Sequence, residues 1–536
     1  IDDMSDPAKY ATHLQPIFDR LKKIDDRTPV SILTNRPAID DPQLETFIRQ
    51  GISIDVHTIT HPCPLFSEEG FAWAKKNVLQ CTTLLNRIPG AHPVAFRMPC
   101  CDSLNTPSPR FYAGIFDQIG VDGSFLTIDS SIFNIITPKD TDLQREWVLD
   151  EDGKEKFRKY LPFPSFVNTI EDYHYPYVIN KVCWEFPCSV PSDWEAQNIN
   201  GENDPRSLAD MKTAVDVAVQ KQGVYTLVFH PHGWIENTQV VDLIDHAVSQ
   251  YGDKVKFLTF REAQECIDQY LLKGHPLRNA KGGDNGVRLL DLNDDGYQDV
   301  LIGNGKAQMT RIWNPALQSW TEQDLPFTFV DSEGRDQGIR FGVNVDGSNR
   351  VLAYCSTRSQ RFAYAYGDEG WVSLPEMVNQ KSPPTSQRGR DRGLRFRDID
   401  GDGISEMLSS KYSGSSVYQW RGEWKQLETQ FPARRSIVGT DGSDQGLRFI
   451  DLDEDGDEDI VYSNESGSGV YLFESLKVGW SDSTLPADAA LPPITINGTN
   501  NGAWFHSDHL WVVNETTSKL PDYADRRSFD MLLGGE

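Results

Sequence analysis

The chain has no run of about eighteen consecutive apolar residues, the length a helix needs to cross a bilayer, so no membrane span is expected. Basic charge is scarce: 52 Lys and Arg stand against 79 Asp and Glu, a formal net charge of −27. A phosphate backbone needs a basic footprint, so nucleic acid is not an expected partner. Repeated Cys-x2-Cys spacing is missing as well, which removes a zinc ribbon from consideration. The eight cysteines, at 63, 81, 100, 101, 183, 188, 266 and 355, leave two readings. Cys100-Cys101 and Cys183/Cys188 join disulfides in a secreted protein, or all are buried free thiols. What is present suffices for packed cores: 38% hydrophobic and 11% aromatic residues. At 536 residues, two or more domains are expected.

Residues 1–272 alternate short apolar runs with helical spacing, the grammar of an α/β domain. Pro29–Leu33 is a β-branched strand, Gln43–Gln50 a helix ending at Gly51, and Ile52–Val56 a strand that delivers His57. Gly223–Phe229 delivers His230 in the same way, and Phe260–Leu272 reads as a closing helix. Residues 273–281 form the expected linker. From Gly282 the pattern is a repeat. Gly-x-Asp/Asn-x-Gly recurs with its second glycine at 286, 338, 393, 446 and 502, spacings of 52, 55, 53 and 56 residues. Each unit then reads strand, acidic loop, strand, with apolar runs around a Trp (Trp313, Trp320, Trp371, Trp420, Trp424, Trp480). About fifty residues per four-stranded unit predicts an all-β propeller over 282–536 with about five repeats, the last degenerate from Ala503 to Glu536. These units resemble FG-GAP/VCBS-type repeats.

Three of the loops follow Asp-x-Asp/Asn-x-Asp-Gly-x-x-Asp/Glu: Asp291, Asn293, Asp295 and Asp299; Asp398, Asp400, Asp402 and Glu406; Asp451, Asp453, Asp455 and Asp459. Alternating hard oxygens around a glycine turn suit structural Ca²⁺, which takes six to eight such ligands. The plainer reading is an acidic surface turn. In the second repeat Gly342, Asn344, Asp346 and Arg350 hold these places, so that loop is expected to stay empty; the fifth repeat has none. Arg288, Arg340, Arg395 and Arg448 each lie four residues after Asp284, Asp336, Asp391 and Asp444. Either these arginines ring an axis and bind an anionic sugar, or each Asp–Arg pair staples its own turn; the staple is preferred.

His57-Thr58-Ile59-Thr60-His61-Pro62 places two imidazoles four residues apart, a spacing that one helical turn would bring to one metal ion. With Asp2-Asp3, Arg97-Met98-Pro99-Cys100, Asp193-Trp194 and Leu227–His230 following in order, the first half resembles the polysaccharide deacetylase (NodB homology, carbohydrate esterase 4) family. Three departures stand out: Met4, Cys100 and Val190 replace the family's Gly, aromatic and Asp. The resemblance implies a distorted, incomplete (β/α) barrel over 1–272 and a core strand upstream of Ile1. It implies that Asp3, His57 and His61 hold a divalent metal, most simply Zn²⁺. Asp2 would be the general base, oriented by Arg97, and His230 the general acid, tuned by Asp193. The Cys100 N–H would hold the oxyanion and Trp194 would wall the acyl pocket.

Residue by residue, plainer alternatives stay open: Asp2-Asp3 as a helix-capping pair, Arg97 as a surface arginine, Asp193-Trp194 as an N-cap with a core aromatic, and His232 as the acid. The function implied is metal-dependent hydrolysis of N-acetyl or O-acetyl groups on a polysaccharide, anionic ones included, by a secreted, periplasmic or cell-surface bacterial protein. Two alternatives remain. One is a glycan-binding protein with a weakened site, and the other is an amidohydrolase of small amides.

Overall fold

The β-branched runs of the first half become parallel strands in the computed structural model, which describes residues 1–103, 105–161, 169–412, 414–481, 485 and 491–534. They are β1 (Ser31–Thr34), β2 (Ser53–Val56), β3 (Ala95–Phe96), β4 (Ile128–Asp129), β5 (Phe133–Ile135), β6 (Thr169–Glu171), β7 (Tyr177–Ile179), β8 (Cys183–Glu185) and β9 (Cys188–Ser189). One sheet runs β1-β2-β3-β4-β8-β7 and a smaller one β6-β5-β9. From β1 to β8 the pairing is parallel, and β7 joins antiparallel. β2 is buried along its whole length and β1 along three of four residues, as sheets covered on both faces require. The register aligns Thr34, Val56, Phe96, Asp129 and Glu185 in one row across the sheet. The residues that follow, Asn35, His57, Arg97 and Ser130, therefore share its C-terminal edge.

Helices α1 (Pro7–Asp25), α2 (Pro42–Arg49), α3 (Phe71–Leu85), α4 (Asp193–Asn200), α5 (Pro205–Gln220), α6 (Asn237–Tyr251) and α7 (Phe260–Cys266) accompany these strands. In α1 the N-cap is Asp6, whose carboxylate accepts from Lys9 N, with Pro7 at the first helical position. Tyr10, Leu14, Ile17, Phe18 and Leu21 are its buried stripe, each worth ~1.5–3 kcal/mol of apolar burial. Since Asp6 caps the helix, Asp2 and Asp3 are not its cap.

Three expectations are revised. Residues 223–229 are extended but form no ladder. Their backbone partners are scattered: Val224 N donates to His174 O, Thr226 O accepts from Ser189 N, Val228 O from Asp193 N and Phe229 O from Asp2 N. The ladders close no ring among the described residues, so the shown architecture is mixed α/β. The helix expected over Phe260–Leu272 is α-helical to Cys266 and continues as a π-helix over Ile267–Leu271.

Two compact units divide the chain: Ile1–Tyr270 with Val513–Ala524, and Leu271–Val512 with Asp525–Glu536. Residues 513–524 thus count with the first unit, although the repeat pattern places them in the last repeat. Within that unit Ser108 Oγ donates to Val513 O, and Arg110 pairs with Glu515 at 2.7 Å. The expected linker is already part of the second unit, where Arg278 bridges to Asp284. Among the described residues no helix is long and apolar enough to cross a membrane.

The second unit is a series of antiparallel meanders: β10 (Val287–Leu290) to β13 (Ser319–Asp324), with β11 (Asp299–Gly303) and β12 (Gln308–Asn314) between; then β14 (Ile339–Val343), β15 (Val351–Ser356), β16 (Arg361–Gly367) and β17 (Gly370–Ser373). After a two-residue hairpin, β18 (Ser386–Gln387) and β19 (Arg390–Asp391), come β20 (Leu394–Arg397), β21 (Glu406–Lys411), β22 (Gly414–Trp420) and β23 (Trp424–Gln426). The fourth repeat splits into β24 (Leu447–Ile450), β25 (Asp459–Asn464), β26 (Gly467–Tyr471) and a separate pair, β27 (Phe473–Ser475) and β28 (Gly479–Trp480). A further hairpin, β29 (Thr495–Ile496) and β30 (Thr499–Asn500), precedes β31 (Ala503–His506), β32 (His509–Val512) and β33 (Asp525–Ser528). The end of the degenerate repeat, 535–536, lies outside the described residues.

Strand periodicity explains how the meanders pack. In β15, Val351, Ala353 and Cys355 enter a cluster with Leu292 and Leu301 of the first meander. The intervening Leu352 and Tyr354 face Leu394 and Met407 of the third. Similar clusters join the third meander to the fourth and the fourth to the fifth. The repeated second glycine is steric: a Cβ at Gly286, Gly393 or Gly446 would stand 2.4, 2.0 or 2.2 Å from the carbonyl oxygen of Gly303, Ser410 or Ser463.

Candidate functional site

At the C-terminal edge of the parallel sheet, Asp3, His57 and His61 converge, one donor atom from each lying within 4.8 Å of the others. Asp3 Oδ1 is 2.7 Å from His61 Nε2 and 3.3 Å from His57 Nε2. The two histidines do not meet on a helical turn. The strand ends at Val56, and the chain turns back through Thr58 and His61, both left-handed (φ 71° and 53°), with Thr58 Oγ1 accepting from His61 N at 3.1 Å. His57 Nδ1 lies 2.9 Å from Arg97 O and donates to it, which leaves Nε2 as the ring nitrogen that faces Asp3. Burial opposes the Asp3 charge, yet hydrogen bonds from His232, His57 and His61 hold it far below the usual carboxylate range. Two imidazole lone pairs and an ionised carboxylate fit a borderline transition metal such as Zn²⁺.

On one side stands Asp2, which is 2% exposed. Arg97 Nη1 donates to Asp2 Oδ1 at 2.9 Å, while its Nε and Nη2 donate to Ser130 O and Ser130 Oγ. Arg97 is therefore no surface residue; it is 1% exposed. Burial pushes the Asp2 carboxyl up, but Arg97 together with the other positively charged neighbours, His57 and His230 among them, outweighs this and brings it down to about 2. Asp2 is an ionised acceptor near neutrality.

On the other side stands His230. Asp193 Oδ1 accepts from His230 Nδ1 at 2.9 Å and Asp193 Oδ2 from His230 N at 2.7 Å. Asp193 is not the N-cap of α4; Ser192 is, in a reciprocal capping box with Glu195. Both oxygens of the Asp193 carboxylate are thus on His230. Burial lowers the affinity of His230 for its proton, but Asp193, with Asp2 and Asp3 behind it, more than offsets this and raises it to about 10. His230 Nε2 is 3.9 Å from Asp3 Oδ2. His232 stacks on His230 with ring centroids 5.5 Å apart, is exposed, and lies 3.4 Å from Asp3 Oδ2. Asp193 thus pairs with His230, while His232 faces Asp3.

Cys100 adopts a left-handed conformation, φ 53°, directly after the strand that delivers Arg97. Its neighbours are pinned: Met98 N donates to Ser131 Oγ, and Ser103 N and Asn105 N donate to Cys100 O. The aromatic ring against His230 and His232 is Trp234, with centroids 5.1 Å from each. It also lines a small cavity with Asp193, Met211 and Ile235, whose lining does not include Trp194. Sequence reading missed Trp234, although His230-Pro-His-Gly-Trp234 carries it four residues away. It also missed Ser130 and Ser131, which sequence places far from Arg97 and strand pairing places beside it.

In the second unit, the acidic loops share one backbone pattern. Asp291 accepts from Asp295 N and Gly296 N, Asp398 from Asp402 N and Gly403 N, and Asp451 from Asp455 N and Gly456 N. Oxygens of Asp398, Asp400 and Glu406, and of Asp451, Asp453 and Asp459, group within 4.8 Å. In the first loop Asn293 occupies the middle place and donates to Asp295 Oδ2 at 3.0 Å. In the second repeat's loop Arg350 pairs with Asp346 at 2.8 Å, so a guanidinium meets the carboxylate there. Each repeat arginine forks onto its own aspartate: Arg288–Asp284 2.7 Å, Arg340–Asp336 2.9 Å, Arg395–Asp391 2.6 Å and Arg448–Asp444 2.7 Å. They are turn staples, not a free cationic ring.

Residues 398–462 match the FG-GAP-like repeat family. No curated protein matches the chain. Among solved structures, a protein from Mycobacterium smegmatis assigned as a polysaccharide deacetylase is 14% identical, covers 49% of this chain and 77% of its own, and has a TM-score of 0.31. A lectin from Agrocybe aegerita that recognises non-reducing terminal N-acetylglucosamine is 16% identical, with 45% and 65% coverage and a TM-score of 0.30. The Xyl-CE4 domain of a multidomain xylanase from the hindgut metagenome of Trinervitermes trinervoides is 12% identical, with 52% and 90% coverage and a TM-score of 0.25. Likenesses at these TM-scores carry no functional inference.

Proposed function

We propose that the first unit is a metal-dependent deacetylase that hydrolyses N-acetyl or O-acetyl groups of a polysaccharide. The observation that carries this reading is the arrangement of three groups at one strand edge: the Asp3–His57–His61 donor set, the ionised Asp2 on Arg97, and the Asp193-bound His230. A Zn²⁺ or similar ion on the donor set would supply Lewis acidity toward a water and an acyl carbonyl. Asp2 takes a proton from the attacking water, held in place by Arg97. His230, protonated and anchored by Asp193, gives a proton to the departing amine or alkoxide. The Cys100 N–H stabilises the developing oxyanion; as a backbone group it does not need the family's aromatic side chain. Trp234 walls the His230 side of the site.

The first unit is then a distorted (β/α) barrel, with 223–229 as its irregular closing strand. The second is a propeller whose Asp398 and Asp451 loops, and the Asp291 loop with its Asn293, hold structural Ca²⁺. An acetylated glycan substrate would place the protein outside the cytoplasm. The test is acetate release from a panel of N- and O-acetylated glycans. Release that a chelator abolishes and a divalent transition metal restores supports the reading. Metal binding without release from any glycan would refute it in favour of a glycan-binding protein.

A further inference from the structure

Cys100 and Cys188 are not disulfide-bonded in this structure, so neither expected pairing is formed. Cys188 is engaged elsewhere, its Sγ donating to Ser130 O at 3.2 Å. A different pair is poised. Cys63 and Cys100 are both half-buried, and the Cys63 thiol is the neighbour that acts most strongly on the Cys100 thiol. The two loops that carry them are already tied by one buried side chain. Asn105 Nδ2 donates to Pro62 O at 2.9 Å and to Pro99 O at 2.7 Å, the residues immediately before each cysteine. Asn105 Oδ1 accepts from Leu65 N at 2.8 Å, and Asn105 N donates to Cys100 O. One asparagine therefore brackets Cys63 on both sides and holds Cys100 from its carbonyl.

We propose that Cys63 and Cys100 form a reversible disulfide that joins the loop after β2 to the loop after β3. The oxidant is a small disulfide such as oxidised glutathione. One cysteine attacks it, forming a mixed disulfide and releasing one glutathione thiol. The second cysteine then attacks the mixed disulfide, the protein S–S bond forms, and the second thiol leaves. Two cysteine protons depart with two glutathione thiols, and the oxidant's S–S bond takes up the two electrons. The link lies two residues from His61 and holds Cys100 in its left-handed conformation. If the proposed function holds, it fixes a metal-binding histidine and the oxyanion donor together. Formation of the link does not depend on that function.

The experiment incubates the full chain with oxidised glutathione, alkylates the remaining thiols after unfolding, and maps the digest by mass spectrometry. The expected product is one peptide pair joining Cys63 to Cys100, about 2 Da lighter than the two thiol peptides and separated again by dithiothreitol. The other six cysteines are expected alkylated. The oxidised protein melts at a higher temperature than the reduced one, and Cys63→Ser abolishes this difference. Recovery of Cys63 and Cys100 both alkylated, each capped by glutathione, or joined to other cysteines would overturn the proposal. All of these readouts stand apart from acetate release, so failure here leaves the deacetylase reading to its own test.

Discussion

The two units assemble carboxylate clusters by opposite means. In the second unit a single loop is enough: Asp398, Asp400 and Glu406 lie within one turn whose shape is set by Gly403 and by backbone N–H groups donating to Asp398. In the first unit Asp3, His57 and Arg97 come from separate segments, and His230 and Asp193 from two more. Strand register alone brings most of them together. A local site is readily changed without harm to the fold, as the second repeat shows by placing Arg350 on Asp346. A site built from distant segments has no spare copy, and each member depends on the packing of the others.

The largest effects are expected in the first unit's chemistry. His230→Ala should lower kcat/KM for acetate release by about 10²–10⁴-fold, the usual worth of a general acid, with little change in bound metal. Full activity in that variant would move the acid role to His232. Next comes Arg97, whose guanidinium is fully enclosed beside Asp2. Arg97→Met leaves a buried carboxylate unpaired and should destabilise the first unit by about 3–5 kcal/mol in denaturant unfolding. A loss under 1 kcal/mol would mean that Asp2 finds water in its place.

Calcium sharpens the comparison from the other side. At a hundred times its Kd, each occupied loop should stabilise the second unit by about 2.7 kcal/mol. Asp398→Ala and Asp451→Ala should each remove one ion from the calorimetric stoichiometry, and Asp346→Ala none. The gain should also depend on pH. Without cation, burial and neighbouring carboxylates raise Glu406 to about 8 and Asp459 to about 6. These groups bind protons more tightly folded than unfolded. Their contribution to the stability of the chelated second unit is therefore fully present at low pH and is lost as pH climbs from ~4.5 through 8. The calcium-induced rise in Tm should be larger at pH 8 than at pH 5; an equal rise would contradict the crowding of these carboxylates. The smallest effect is expected at the staples. Arg395→Met removes a partly exposed pair and should cost only about 0.2–1 kcal/mol in unfolding.

The same contrast governs what the sequence reveals. Acidic loops, glycine turns and Asp–Arg staples are legible because each is complete within a dozen residues and repeats. Strands such as 53–56 are legible from their β-branched, buried pattern. The His57–His61 pair is legible as a pair but not in its geometry, because i, i+4 spacing does not specify the left-handed turns at Thr58 and His61. Residues 223–229 look like a strand, yet their partners are four separate segments, which no periodicity reports. Ser130 and Ser131 hold Arg97 and the start of its loop only because Phe96 aligns with Asp129. Trp234 is four residues from His230 in sequence, but only the fold shows its ring against both His230 and His232.

In the proposed mechanism Asp2 acts as the base while Asp3, His57 and His61 hold the metal. The most direct measurement compares Asp2→Asn with the native protein for both bound metal and acetate release on the same preparation. The prediction is unchanged metal content with release reduced by at least about a hundredfold. Retained acetate release in Asp2→Asn with the metal site filled would contradict the assignment of the base and the mechanism built on it.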